Sequence, residues 1–136
     1  MTMSLFDSMN IASTALSAQT TRINTIASNM ANANTVASTP EDTFKARAPI
    51  FQAVLEGESD QLGVRVKSIE ELGGEARQEF EPAHPLADEE GFIYRPDIDV
   101  TQEMANMMSA SRSFQSAIEV INTSKQLALR TLTLGK

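Results

Sequence analysis

Apolar residues recur over the first forty positions at alternating steps of four and three. Leu5, Met9, Ala12, Leu16, Ile23, Ile26, Met30 and Ala33 form one such series, which only Gln19 interrupts. That period places its members on one face of an α-helix. Ser4, with Asp7 three residues later, predicts the helix start. Pro40 and the polar stretch before it predict its end. The last third of the chain repeats the pattern. Val100, Met104, Met107, Phe114, Ile118, Ile121, Ala128 and Leu132 keep the same spacing, with Ser111 and Lys125 in its gaps. Asp99 is the predicted N-cap and Gln102 its capping-box partner. This second helix is expected to run for roughly 50 Å at 1.5 Å per residue.

Between the helical patterns the apolar period shortens to two. Residues 44–48, 64–69 and 76–80 read as short strands, the last two joined by a turn at Gly73-Gly74. Residues 82–96, with Pro85 and Gly91, read as an extended surface loop. The expected fold is mainly α. Two long terminal helices pack as an antiparallel, coiled-coil-like pair around a small β-hairpin and loop insert. The expected divisions are 1–36, 37–98 and 99–136, with the first and last forming one domain.

Charge follows the same division. The total is −7 over 136 residues. Residues 1–40 carry only Asp7 and Arg22, and residues 104–136 set Glu119 against Arg112, Lys125, Arg130 and Lys136. The middle, 41–103, holds sixteen acids and six bases. The acidic balance lacks the basic footprint of a nucleic-acid partner. No run of apolar residues reaches the ~18 needed to span a bilayer. The N-terminus shows no basic, greasy leader, so no cleaved secretory signal is expected.

The first helix is weak by itself. Thirteen of residues 5–34 are Ser, Thr or Asn. Each costs roughly 0.5 kcal/mol relative to Ala, about 6 kcal/mol in sum. Charged i,i+4 pairs that would offset this are nearly absent. Small polar side chains such as Ser8, Ser13, Ser17, Thr21 and Ser28 occupy its other faces, where a solvated helix carries Lys and Glu. Such a helix needs neighbours on several sides.

Candidate chemistry is sparse. The chain has no Cys and one His, which excludes thiolate metal sites, disulfides and Cys nucleophiles. His84 stands near Asp88, Glu89 and Glu90, a pattern better read as a solvated acidic loop than as a metal or acid–base site. Asp97, Asp99, Thr101 and Glu103 only faintly resemble a calcium loop, because the required Gly and Glu are replaced by Gln102 and Met108. Met104, Met107 and Met108 read as core or interface filler. No cofactor, metal or catalytic activity is expected.

Two segments nevertheless carry recognisable patterns. Ile26-Ala27-Ser28-Asn29-Met30-Ala31-Asn32-Ala33-Asn34-Thr35 resembles the N-terminal signature of bacterial flagellar axial proteins, the family of rod, hook and related subunits. Glu103-Met104-Ala105-Asn106-Met107-Met108, with Ser111-Arg112-Ser113-Phe114 and Ile118-Glu119-Val120-Ile121-Asn122-Thr123, resembles its C-terminal signature. The short insert, 85–92 and 96–100 point within that family to the proximal rod. Residues 35–44 depart from the family pattern in lacking a Gly.

The resemblance implies a subunit of the flagellar basal body, exported by the flagellar type III apparatus and assembled into a hollow rod that crosses the periplasm as a drive shaft. Its implied neighbours are other copies of itself, other proximal-rod proteins, the distal rod and the rod adaptor at the MS ring. The expected subunit-interface residues are Leu5, Met9, Leu16, Ile23, Ile26, Asn29, Met30, Asn32 and Asn34 in the first helix. In the second they are Met104, Met107, Phe114, Ile118, Ile121 and Leu132. The alternative reading is a soluble coiled-coil adaptor or another secretion-associated helical protein.

Overall fold

The computed structural model describes residues 4–56 and 61–135; residues 1–3 and Lys136 of the expected terminal segments lie outside them. The elements are α1 (Leu5–Asn32), β1 (Arg47–Glu56), β2 (Gln61–Glu71), β3 (Arg77–Phe80), β4 (Phe92–Arg95) and α2 (Val100–Leu134). Two long helices thus bracket a small β insert made of two two-stranded sheets, β1-β2 and β3-β4. The chain divides into two compact units, each drawing on both helices and on the middle. One comprises Met1–Ile23, Pro49–Ser68 and Met108–Lys136; the other comprises Asn24–Ala48 and Ile69–Met107.

The start of α1 is a complete capping box. The Ser4 N–H donates to Asp7 Oδ2 (2.8 Å), and the Phe6 N–H donates to Ser4 Oγ (3.3 Å). The helix ends at Asn32, well before Pro40. The reason is local. Thr35 donates from both its hydroxyl (2.8 Å) and its N–H (3.2 Å) to the Asn32 carbonyl, closing a turn. Along the helix, Thr hydroxyls donate back to its own carbonyls: Thr14 to Ile11, Thr20 to Leu16 and Thr21 to Ser17. The polar face therefore has much of its bonding satisfied internally. Its exposed row is Phe6, Asn10, Ser13, Ser17, Thr20, Asn24, Ala27 and Ala31, spaced four and three and free of charge.

In α2, Asp99 caps as expected, its Oδ1 accepting from the N–H groups of Thr101 (2.8 Å) and Gln102 (3.3 Å). The capping box is only half made, because the Gln102 amide turns forward to Asn106 Oδ1 (3.5 Å). The residues α2 buries are Ala110, Ala117 and Ser124, seven apart. Met107, Phe114, Ile121 and Ala128 flank them, half-buried. The sequence pattern had placed Met104, Ile118 and Leu132 beside these. They are exposed instead, since small side chains let the covered face sit closer to its surroundings than large ones.

The two units differ in what they bury. In the unit containing Asn24–Ala48, the core is Ile26, Ile93, Ile98 and Ala33 with Asn29 and Thr43. In the unit containing the start of α1 and the end of α2, the buried apolar residues are Ala12, Ala18, Ala110 and Ala117. Burial scales with apolar area at roughly 25 cal/mol per Å², so an alanine core contributes far less than one of isoleucines.

Strand pairing departs from the expected hairpin at Gly73-Gly74. β2 pairs with β1, and β3 pairs with β4 in the register Arg77↔Arg95 to Phe80↔Phe92. The strand expected at 44–48 begins only at Arg47 and runs on to Glu56. That extension was hidden because the ribbon leaves Ile50, Phe51 and Leu55 all exposed, so no alternation marks it. β4 lies within the stretch read as loop. Its turn is built by Asp88, whose Oδ1 accepts from the N–H groups of Glu90 (3.0 Å) and Phe92 (2.8 Å), and whose Oδ2 accepts from the Tyr94 hydroxyl (3.2 Å). Gly91 adopts φ 87°, and a Cβ there would stand 3.0 Å from Phe80 and Pro82.

Two outcomes follow from these details. Gln19 sits half-buried in α1 with its Oε1 buried and unpartnered. Gln19→Leu should raise the stability of the free chain by about 1 kcal/mol, since a buried acceptor without a donor costs 1–3 kcal/mol; thermal denaturation followed by circular dichroism reads this out. The Phe92 N–H, above all, holds the Asp88 carboxyl below the ordinary aspartate value. The lowered value means that its contribution is present above about pH 4 and is lost as pH falls through the folded-state value. Tyr94 is the single tyrosine in a chain without tryptophan. Its fluorescence should therefore show an acid transition that Asp88→Asn abolishes.

Candidate functional site

The N-terminal signature residues converge on one side chain. Asn29 lies on the last full turn of α1 and is 2% exposed. Its amide pairs with a peptide unit as another strand would: Nδ2 donates to the Arg47 carbonyl (2.8 Å) and Oδ1 accepts from the Arg47 N–H (2.9 Å). The second Nδ2 hydrogen donates to Glu103 Oε2 (3.0 Å). Glu103 Oε1 in turn accepts from Asn106 Nδ2 (3.0 Å). One amide thus joins α1, the start of β1 and the first turn of α2. It also links the two signature segments directly. Only a side chain with two donors and an acceptor in one plane makes all three bonds.

The segment after α1 is fastened separately. Ala37 exchanges backbone hydrogen bonds with Tyr94 (2.9 and 3.0 Å) and so extends the β3-β4 sheet by a bridge. Arg95 Nη1 donates to the Asn34 carbonyl (3.2 Å), while its Nε donates to Glu79 Oε2 (2.8 Å). Near the start of β1, the Leu72 N–H donates to the Ala46 carbonyl (2.7 Å), and Arg47 faces Glu71 at 3.6 Å. In the other unit, the Val64 N–H of β2 donates to Thr14 Oγ1 (3.1 Å), next to buried Gly63.

Of the residues expected at an interface, Ile26 and Asn29 are buried. Leu5, Met9, Leu16, Ile23, Met30, Asn32, Met107, Phe114 and Ile121 are half-buried. Asn34, Met104, Ile118 and Leu132 are exposed, with Leu132 at 71%. Asn32 donates to the Ser28 carbonyl within α1 (2.8 Å). Further exposed apolar residues went unnoticed in the sequence reading: Leu55, Leu62 and Ile69 on the β1-β2 ribbon, and Phe80 beside Phe92. Arg47 and Arg95 were also missed. Arg47 acts through its main chain, which leaves no mark in side-chain patterns. The His84 Nδ1 accepts from the Leu86 N–H (3.1 Å). Among the described residues, no group of three His, Cys, Asp or Glu side chains converges as a metal site would. No helix there is long and apolar enough to cross a membrane.

The geometry is that of a joint between helix ends with uncovered apolar surface around it, and the comparisons with known proteins decide whose joint it is. A family model described as flagella basal body rod protein matches residues 9–36. One described as flagellar basal body rod FlgEFG protein C-terminal matches residues 89–134. The flagellar basal-body rod protein FlgC of Yersinia enterocolitica is 46% identical over 134 residues, covering 98% of this chain and 100% of the relative. The chain belongs to the FlgC family of flagellar basal-body rod proteins. The FlgC proteins of Salmonella typhimurium and Escherichia coli are 42% and 41% identical over the same length, each covered in full. These relatives are structural rod proteins, and no catalytic family is indicated. Asn29, Arg95 and Glu103 fall inside the two matched segments; Arg47 and the β1-β2 ribbon fall between them.

Asn29→Ala should destabilise the chain by about 3 kcal/mol, because it strands both groups of the Arg47 peptide and removes the donor to Glu103 Oε2, leaving that carboxylate only its Asn106 contact. Asn29→Asp should cost more at pH 7, where it sets a second carboxylate against Glu103, and less near pH 4, where a proton can be shared. Chemical denaturation at both pH values measures the difference.

Proposed function

We propose that this chain is a subunit of the proximal rod that folds fully only as it polymerises. The single observation that carries the reading is the alanine core of the unit bearing the helix ends. That unit buries no large apolar side chain completely among the described residues. Meanwhile Phe6, Leu55, Leu62, Leu129, Leu132 and Leu134 are each more than half exposed. Apolar surface on this scale is a partner surface.

In this reading α1 and α2 lie antiparallel, and residues 1–36 with 99–136 act together as the assembly domain. Residues 37–98 form an insert on the outside of the tube. Leu5, Met9, Leu16, Ile23 and Met30, with Met104, Met107, Phe114, Ile118, Ile121 and Leu132, are covered by neighbouring copies and by other rod proteins, whereas Ile26 is already covered by its own chain. Asn29, Asn32 and Asn34 shape the joint beside them. The feeble helix propensity of α1 suits passage through an export channel before assembly, and burial against neighbours then supplies the missing stability. Repeating such heterologous contacts produces a helical tube, here one that spans the periplasm, carries torque from rotor to hook and conducts later subunits.

Ile118→Asp tests this, because Ile118 is already exposed and its replacement disturbs none of the residues buried within the chain. Export should continue, yet swimming should be lost and the chain should be missing from isolated basal bodies. Ile23→Asp should behave in the same way. Normal motility with both variants contradicts the reading.

A further inference from the structure

The division into compact units also separates charge. The unit of Met1–Ile23, Pro49–Ser68 and Met108–Lys136 holds seven bases against five acids, a net of +2. The unit of Asn24–Ala48 and Ile69–Met107 holds thirteen acids against four bases, a net of −9. A fold driven by burial alone imposes no such separation.

The positive unit presents a definite surface on α2. Ile118, Lys125, Leu129 and Leu132 lie within about 60° of one another around the helix axis, at 100° per residue. All four are exposed, Leu129 by 54% and Leu132 by 71%. Lys125 makes no ion pair among the described residues, nor does Arg130 beyond this row. The negative unit presents the reverse on the β3-β4 hairpin. Phe80 is 66% exposed and Leu86 44%. Glu89 and Glu90 lie in the exposed turn that Asp88 closes between β3 and β4, and meet no cation among the described residues. Each surface is an apolar centre edged by unpaired charge, of opposite sign on the two.

We infer that the exposed flank of α2 docks on the β3-β4 hairpin of a second copy of this chain, with Lys125 facing Glu89 and Glu90. The inference rests on the rod-subunit reading and adds to it the partner and the pairing. Two different patches make the contact heterologous, so each copy keeps one patch of each kind free for the next. Opposite charge fixes the order of approach and excludes like-on-like docking, which would set two acidic hairpins together.

The absence of cysteine makes the test clean. Two tagged versions of the full chain, one carrying Leu132→Cys and the other Leu86→Cys, are expressed together, and isolated basal bodies are treated with a short bifunctional thiol reagent. A covalent dimer carrying both tags is expected. Lys125→Glu should abolish swimming, Glu89→Lys with Glu90→Lys should abolish it too, and all three together should restore it. The chain present in basal bodies but joined only to a different rod protein, or not joined at all, overturns the inference and leaves the rod reading standing. Failure of the threefold exchange to restore swimming does the same. Absence of the unsubstituted chain from basal bodies overturns both.

Discussion

The amide of Asn29 ties together three pieces of chain that lie far apart in sequence. A peptide group at Arg47 needs a donor and an acceptor, and the Glu103 carboxylate at the start of α2 needs a donor. A primary amide offers these in one plane, and Asn29 spends all of them at 2.8–3.0 Å. Buried polar groups are costly when unpaired and cooperative when their network closes. The direction in which the chain leaves α1, the entry into β1 and the first turn of α2 all depend on that closure. The Ala37–Tyr94 bridge and the Arg95 contact to Asn34 then fix the exit from the helix. The family's two end signatures thus share one hydrogen bond.

Around this joint the molecule is unevenly finished. One unit has isoleucines, a tight Asp88 turn and a sheet bridged on its far edge. The other has alanines and a serine at its centre, with leucines outside. A protein meant to stand alone in water rarely leaves so many leucines uncovered while burying alanines. The arrangement makes sense when the missing apolar contacts belong to other molecules. The rod family to which the chain belongs is one in which such contacts are the product.

Much of this was legible in the residues, and the failures have physical causes. Helix positions, the Ser4–Asp7 box and the Asp99 cap follow from period and capping chemistry, which are local. The end signatures pointed to the family before any fold was known. Strand pairing did not follow, because Gly73-Gly74 looks like a hairpin turn only if neighbouring strands pair. Here β2 is taken by β1, and β3 by a strand hidden in a proline-rich stretch. The covered face of α2 was misplaced by one position because hydrophobicity scales favour Ile118 over Ala117, whereas close approach favours the reverse. The role of Arg47 left no trace, since it is the peptide that Asn29 reads.

The threonine hydroxyls of α1 turn inward to their own helix, and their orientation shapes how the surface meets its surroundings. A hydroxyl already engaged in this way offers shape to a neighbour but demands no particular bonding direction. The exposed row of the helix also carries no ions that would have to find counterparts. Two such surfaces can settle at slightly different offsets with little change in energy. Contacts made through them tolerate small differences in the angle at which they meet.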